Sequence, residues 1–402
     1  MNSTYKKQLE KNISKYSWYK IFTKRVYLPL IAIQLVNAGK VSVEQLAIIS
    51  ALTAIVSLLL QLPTGYVADK YGSRFAIILG CLITVPSPLF YVLLPNFWGG
   101  LIAALLFFGG YAFQSGAIEA FIHDTLVTME REHEYSKIMG RAQSYGLIGN
   151  VVLVILVPAT YAINHALPFI LGFVSLLAML FIALSFTYPP RKKELKTKNP
   201  FAATKNIVNR QNLALFVFAG VSLGVSYTSG NFRELAFQHI GITIGLFGTL
   251  VALGSVVGAV LGRWIHLIDK YQPKTVYLFD LLFISSFLML AGSTTNRYLV
   301  SFAFIILAGY DRVHLIIFQA KLLENLKHTY KATLLSALNI FSTLGQAVAV
   351  VILAKLIGFK GYQGGYVLFG LVVLSISLFL WLLVTGAAEH DDVNHPIKPE
   401  TS

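Results

Sequence analysis

Apolar runs of about 20 residues, each long enough to cross a bilayer core, recur from one end of this chain to the other. They begin near Tyr19, Val43, Phe75, Phe97, Met139 and Leu167, and again near Leu213, Thr243, Thr275, Tyr298, Thr333 and Gly364. Hydrocarbon offers backbone groups no partners, so such runs must satisfy their own hydrogen bonds, and spacing of this kind means helices. Composition agrees: 56% of residues are apolar and 12% charged, against about a quarter charged in soluble domains. The expected fold class is an all-α integral membrane protein of about twelve transmembrane helices.

The formal net charge of +14 raises the question of nucleic acid, and position answers it. With the N-terminus inside, about 26 of the 32 Lys and Arg fall on cytoplasmic segments, and only Lys40, Arg297 and Lys360 on external ones. That asymmetry is the positive-inside pattern of a membrane protein, and no nucleic-acid partner is expected. An even number of spans returns the C-terminus to the cytoplasm, which places a multi-pass protein in the inner (plasma) membrane with both termini inside. The start is polar and basic, with Lys6, Lys7, Lys11 and Lys15, and carries no cleavage site of a signal peptide. The single cysteine, Cys81, lies in an apolar run, so no intrachain disulfide forms.

One long polar break divides the chain. Residues 188–212, "YPPRKKELKTKNPFAATKNIVNRQN", are basic and open with Pro-Pro. They separate an N-terminal six-helix bundle, residues 1–187, from a C-terminal one, residues 213–386, and a cytoplasmic tail fills residues 387–402. The halves echo each other. "ADKYGSR" after the second span returns as "IDKYQPK" after the eighth, so that Asp69 and Lys70 recur as Asp269 and Lys270, 200 residues later. Residues 135–141, entering the fifth span, resemble residues 330–336, entering the eleventh. Two related bundles are a transporter signature, with the substrate site expected between them near the midplane.

The loop after the second span, "GYVADKYGSR", resembles the corresponding loop of the Major Facilitator Superfamily. The family pattern of Gly, three residues, Asp, a basic residue, any residue, Gly and one or two basic residues is met by Gly65, Asp69, Lys70, Gly72 and Arg74, with Ser73 replacing the first of the final basic residues. Gly72 suits a tight turn because it accepts positive φ, and Lys70 and Arg74 can snorkel to the phosphate level. Asp69 ends a helix whose dipole disfavours an anion there. The resemblance implies a gate: the matching Asp engages the opposite bundle near the eleventh span when the cytoplasmic side closes, with Lys331 and the helix start near Thr333 as partners. A solvated turn that only biases topology is the alternative. Two marks of the family's drug–proton antiporters are missing: Tyr111 stands where they carry Arg, and the fifth span has Gly146 and Gly149 without a Gly-Pro pair.

Ionisable groups inside spans are costly and mark cavities or partners. The resemblance puts the cavity along spans one, four, seven and ten. Their polar residues are Gln34 and Asn37 in span one, Gln114 and Glu119 in span four, Tyr227, Asn231 and Arg233 in span seven, and Asp311, Arg312 and His314 in span ten. Adjacent residues on a helix point about 100° apart, so Asp311 and Arg312 face different neighbours, and Glu119 is the expected mate of Arg312. Glu234 accompanies Arg233 near the outer surface, Arg25 is expected at the interface, and Asp280 in span nine is expected to be structural. The glycines of "GSVVGAVLG", residues 254–262, form a packing stripe on span eight, which the resemblance directs across the bundle interface towards span five. Pro63, Pro86, Pro88 and Pro158 are expected kinks.

No phosphate-binding GK[ST] loop appears, and no cofactor is expected. The acids and histidines of residues 389–395 read as a solvated tail and those of residues 123–133 as a cytoplasmic loop, so no metal site is expected. The function expected is secondary active transport of a small molecule by a monomer through alternating access. It is expected to be proton-coupled export, with a proton or another ion as co-substrate and the lipid bilayer as surroundings. A lipid-modifying membrane enzyme would gather its polar residues at one interface, whereas here they spread over both halves. A transporter-like sensor that moves nothing is the second alternative.

Overall fold

Thr, Leu and β-branched residues fill these runs, yet every one of them is helical, because only the helix satisfies its backbone internally in lipid. The computed structural model describes residues 3–189, 210–268, 270–324 and 331–394. The helices are α1 (Ser3–Phe22), α2 (Ile31–Asn37), α3 (Val43–Tyr71), α4 (Ser73–Thr84), α5 (Ser87–Leu93), α6 (Phe97–Thr128), α7 (Tyr135–Ala159) and α8 (Leu167–Leu184). The second half contributes α9 (Arg210–Ser229), α10 (Arg233–His239), α11 (Phe247–Trp264), α12 (Pro273–Ser293), α13 (Arg297–Glu324) and α14 (Lys331–Asn394). Nine helical stretches among the described residues are long and apolar enough to span a membrane. Two shorter apolar helices, Leu28–Asn37 and Leu215–Ser229, accompany them. The longest stretch, Ala337–Leu383, is interrupted at Gly361, which has φ 69°. These helices are consistent with twelve spans. The linker core, the residues after Asn394 and Asp269 lie outside the described residues, and α14 remains helical through residues 389–394, where a solvated tail was expected.

The chain divides into two compact units, Met1–Leu195 with Ile242–Ala252, and Lys196–Gly241 with Leu253–Ser402. In the first unit, α1 starts well before Tyr19. Leu9, Asn12, Tyr16 and Tyr19 recur every three or four residues, and all four are buried, so α1 packs against α7 and α8 along that stripe. Asn12 secures the end of the sixth span: its Nδ2 donates to the Thr187 carbonyl at 2.6 Å and its Oδ1 accepts from the Thr187 amide at 3.1 Å. Lys15 donates to the Ser185 carbonyl, and Tyr5 to the Tyr188 carbonyl at 3.0 Å. Asn12→Ala strips partners from two backbone groups, and thermal unfolding in detergent should report a loss of about 1–3 kcal/mol.

Close helix approach depends on glycine at a few crossings. A Cβ on Gly110 would stand 2.1 Å from Thr84 Oγ1 and 2.5 Å from the Gly80 carbonyl, which locks α4 onto α6. In the second unit, a Cβ on Gly345 of α14 would stand 2.1 Å from the Gly220 carbonyl of α9. The stripe on α11 packs differently from the expected course. Gly254 faces Ala308, and Gly258 faces Arg312 and the Gly309 carbonyl, so the stripe lies on α13. Gly146 and Gly149 face Lys20 and Ile21 of α1. α13 supplies the Ala308–Gly309 pair that the α11 glycines need. Pro86 caps the start of α5 and Pro88 lies in its first turn, and Pro63 and Pro158 sit inside α3 and α7.

Candidate functional site

Both first spans are broken in mid-course. In the first unit, residues 23–27 interrupt the helix between α1 and the short 3-10 turn Leu28–Leu30 that leads into α2. Arg25 lies in this break, its guanidinium 4.5 Å from the Phe107 ring centre and 4.6 Å from that of Phe108. Two rings of α6 thus receive the cation. In the second unit, Gly230, Asn231 and Phe232 interrupt the helix between α9 and α10. α10 then opens on Arg233 and Glu234, which pair at 2.6 Å with side chains 14% and 9% exposed.

Gln114 and Gln34 are both hydrogen-bonded. Tyr19 donates to Gln114 Oε1 at 2.6 Å, Gln114 Nε2 donates to Thr84 Oγ1 at 2.9 Å, and Thr84 donates to the Gly80 carbonyl at 2.8 Å. This chain ties α1, α4 and α6 together. Gln34 accepts from Tyr161 at 3.0 Å and donates to the Tyr91 carbonyl at 3.3 Å. Asn37 is exposed at the end of α2. Glu119 is exposed on α6, on the face that also carries Tyr111 and Ser115. Its charge reaches Tyr16, Lys20, Tyr111 and Tyr135. A polar exposed face in mid-helix belongs against water, not lipid.

In the second unit, Asp311 accepts from Ser226 of α9 at 2.8 Å. Tyr227 lies in the field of Asp311, and Arg233, Arg312 and His314 are the cationic or basic groups around that carboxylate. Arg312 turns to another helix and donates to Ser255 of α11 at 2.8 Å, its stem crossing over Gly258. The two neighbours thus address different helices, as their 100° separation requires, and both partners are hydroxyls. His314 is fully buried and does not join Asp311. Its Nε2 lies 2.7 Å from Asp280 Oδ1, and that carboxylate also accepts from Tyr310 at 2.6 Å and from Ser222.

At the loop after the second span, Gly72 has φ 95° and ψ 155° and ends α3 while starting α4. Only glycine holds that backbone without strain. Gly72→Ala should destabilise the protein by about 1–3 kcal/mol, read as a lower unfolding temperature, although a Cβ there meets nothing within 4 Å. Arg74 lies over the Tyr188 ring at 5.1 Å, Lys70 over Tyr71 at 5.3 Å and Lys270 over Tyr271 at 5.0 Å. Gly65 sits inside α3 with open space around it. The side chains of Asp69, Lys331 and Thr333, and all of Asp269, lie outside the described residues. Near the α1 and α7 ends a groove of about 780 Å3 carries Arg131, Glu134 and Glu10, but Arg131 is already bridged to Glu134 at 2.7 Å and to Glu10 at 3.3 Å.

Sequence reasoning missed Asn12 and could not name the partners of Asp280. An Asp within the apolar run of span nine was the available signal; its partners lie 30, 34 and 58 residues away, on other helices.

Comparison with known proteins gives one consistent result. A model described as Major Facilitator Superfamily matches residues 20–350. An uncharacterised MFS-type transporter of Methanocaldococcus jannaschii is 27% identical over 309 residues, which cover 74% of this chain and 78% of that protein. Among solved structures, a mutant form of the nucleoside transporter NupG superposes with a TM-score of 0.80 at 12% identity, covering 94% of this chain and 99% of that one. A bacterial homologue of the human lysosomal transporter Spinster, inward-facing and unoccupied, gives a TM-score of 0.71 at 15% identity over 96% and 98% of the two chains.

Proposed function

This chain belongs to the Major Facilitator Superfamily, and from that premise we propose that it carries a small polar solute across the membrane by alternating access, coupled to protons. Membership makes it a multi-pass membrane transporter and not a lipid-modifying enzyme. The observation that carries the finer reading is Asp311: a carboxylate within a helical unit, held by Ser226, with Tyr227, Arg233 and Arg312 close by. A carboxylate among cations and hydroxyls can bind a solute amine or hydroxyl, or exchange a proton, and its surroundings decide which. Glu119, beside Lys20, offers the first unit the same choice. Each chain holds both units, so a monomer suffices.

The test is a thermal-stabilisation screen of purified protein against polar metabolites, followed by counterflow of the labelled hit in proteoliposomes. Binding a ligand at 100 times its Kd raises stability by about 2.7 kcal/mol. A hit that exchanges across the membrane supports transport. A hit that binds without exchanging supports a sensor. Nucleosides belong in the panel because of the NupG likeness. Imposing the pH gradient in each direction then reads coupling and distinguishes export, the direction expected, from uptake.

Orientation has its own test. Single cysteines at Lys6, Lys198 and Thr401 should resist an impermeant thiol reagent in intact cells, and one at Asn96 should react. Reaction at Lys198 would invert the topology and end the cytoplasmic-gate reading of Asp69.

A further inference from the structure

We propose that Asp280, on span nine, and His314, with Tyr310 and Ser222, form a proton-binding site inside the second unit. Asp280 and His314 are both fully buried, and their closest atoms, Oδ1 and Nε2, are 2.7 Å apart. The Asp280 carboxylate accepts from Tyr310 and from Ser222, and from His314 when the ring carries its proton on Nε2, which also lies 3.3 Å from Ser222 Oγ. Three donors on one carboxylate are the surroundings of the ionised form, which can only accept. His314 Nδ1 is buried and has no hydrogen-bond partner among the described residues. Its ring is held between Tyr310, at 5.0 Å, and Phe318, at 5.1 Å. In this arrangement the pair carries one negative charge and one vacant basic nitrogen. A proton taken up at Nδ1, or passed through Nε2 to the carboxylate, leaves the pair neutral. Burying a neutral pair in hydrocarbon costs less than burying a lone charge.

The first unit shows that the fold does not need this charge. Positions 200 residues earlier are Gly80 for Asp280, Gly110 for Tyr310 and Gln114 for His314. Those three are likewise in mutual contact: a Cβ on Gly80 would stand 2.6 Å from the Gly110 carbonyl and 2.7 Å from Gln114 Cγ. One half of the molecule therefore joins the same three positions with two glycines and a neutral amide. The other half fills them with three ionisable groups, and a packing role does not account for that difference.

Charged and titratable neighbours are few. α9 presents Ser222, and one turn on Ser226, which binds Asp311. α12 adds Tyr277. On α13 stand Asp311, Arg312 turned to Ser255, and the buried Lys321 two turns on, which has partners of its own. On α14 the described charged side chains, Lys355 and Lys360, are exposed. Ser222 and Ser226 place both carboxylates on one helix, so a proton at Asp280–His314 and a solute at Asp311 act on α9 together. That last step rests on the transport reading; the proton site itself does not.

The test needs no solute. Purified protein in lipid nanodiscs is titrated from about pH 9 to about pH 5 and followed by infrared difference spectroscopy. The expected result is a carboxyl or imidazole band that titrates as one step. Asp280→Asn should abolish that step, and His314→Gln should abolish it or move its midpoint by about one pH unit or more. Ser222→Ala removes one donor and keeps both titrating groups, so it should move the midpoint even if the bolder variants fold poorly. Matched elution and unfolding temperatures establish that the variants fold. No titrating step in the wild type, or one unchanged in both Asp280→Asn and Ser222→Ala, overturns the proposal, whether or not the protein proves to move a solute.

Discussion

Gly345→Val is expected to prevent the second unit from folding. Even a single methyl on Gly345 would stand 2.1 Å from the Gly220 carbonyl and 2.7 Å from its carbonyl carbon, and one turn on in α9, Gly224 lies against the backbone of Gly345 and Gln346. The obstacle is backbone on both sides, so no side chain can swing away; α9 and α14 must separate. Overpacking of well-filled cores costs about 1–3 kcal/mol and sometimes more, and a helix contact built on small residues has no other source of affinity in lipid than that close fit. The loss here should therefore reach about 3 kcal/mol or more, seen as aggregated or protease-sensitive protein after extraction. Gly140→Ala is the matched control: nothing lies within 4 Å of the added methyl, and a helical Gly→Ala change should be neutral or stabilise by about 0.5–1 kcal/mol. Near-wild-type unfolding of Gly345→Val would mean that the two helices do not cross at these glycines.

That contact also shows what sequence could and could not reveal. The GSVVGAVLG stripe was visible because its glycines are four apart on one helix. The pairing of Gly220 and Gly224 with Gly345 was not, because Gly345 has no glycine one turn away to mark a stripe and lies remote in the chain. The same limit applies to function. The Gly72 turn, the apolar spans and the paired halves are local or periodic, so the family could be recognised from them. Gln114 and Gln34 looked like cavity groups because they are polar residues on cavity spans, and their positions alone could not show that Tyr19, Thr84, Tyr161 and Tyr91 already engage them. The partners of Asp280 were hidden for the same reason: three helices must fold together before its neighbours exist.

Asp311→Asn should lower gradient-driven transport at least tenfold, a change of about 1.4 kcal/mol or more in the coupled step, while the fold survives. Asn keeps an oxygen for Ser226, whose hydroxyl donates at 2.8 Å, so the packing of α9 on α13 is retained. What disappears is the negative charge that lies in the field of Arg233 and Arg312 and the ability to exchange a proton. Arg312→Leu should do comparable damage by another route, since it takes the partner from Ser255 Oγ and leaves Asp311 with less positive charge around it. If Asp311 and Arg312 act as one unit, the double substitution should unfold less readily than Arg312→Leu alone and still fail to accumulate solute; the interaction energy of the cycle measures their coupling. Full transport by Asp311→Asn would make this carboxylate a packing element and move solute recognition elsewhere.

The central claim is that this chain moves a solute at the expense of a proton gradient. It is tested most directly by loading proteoliposomes with a mixture of polar metabolites, imposing a pH gradient, and measuring by mass spectrometry what crosses, beside protein-free vesicles and vesicles with the gradient collapsed. The account predicts at least one solute that moves only when both protein and gradient are present, with dye-reported proton flux in step with it and both lost in Asp311→Asn. Movement that is the same with the gradient collapsed, or no movement beyond protein-free vesicles across the mixture, would contradict it.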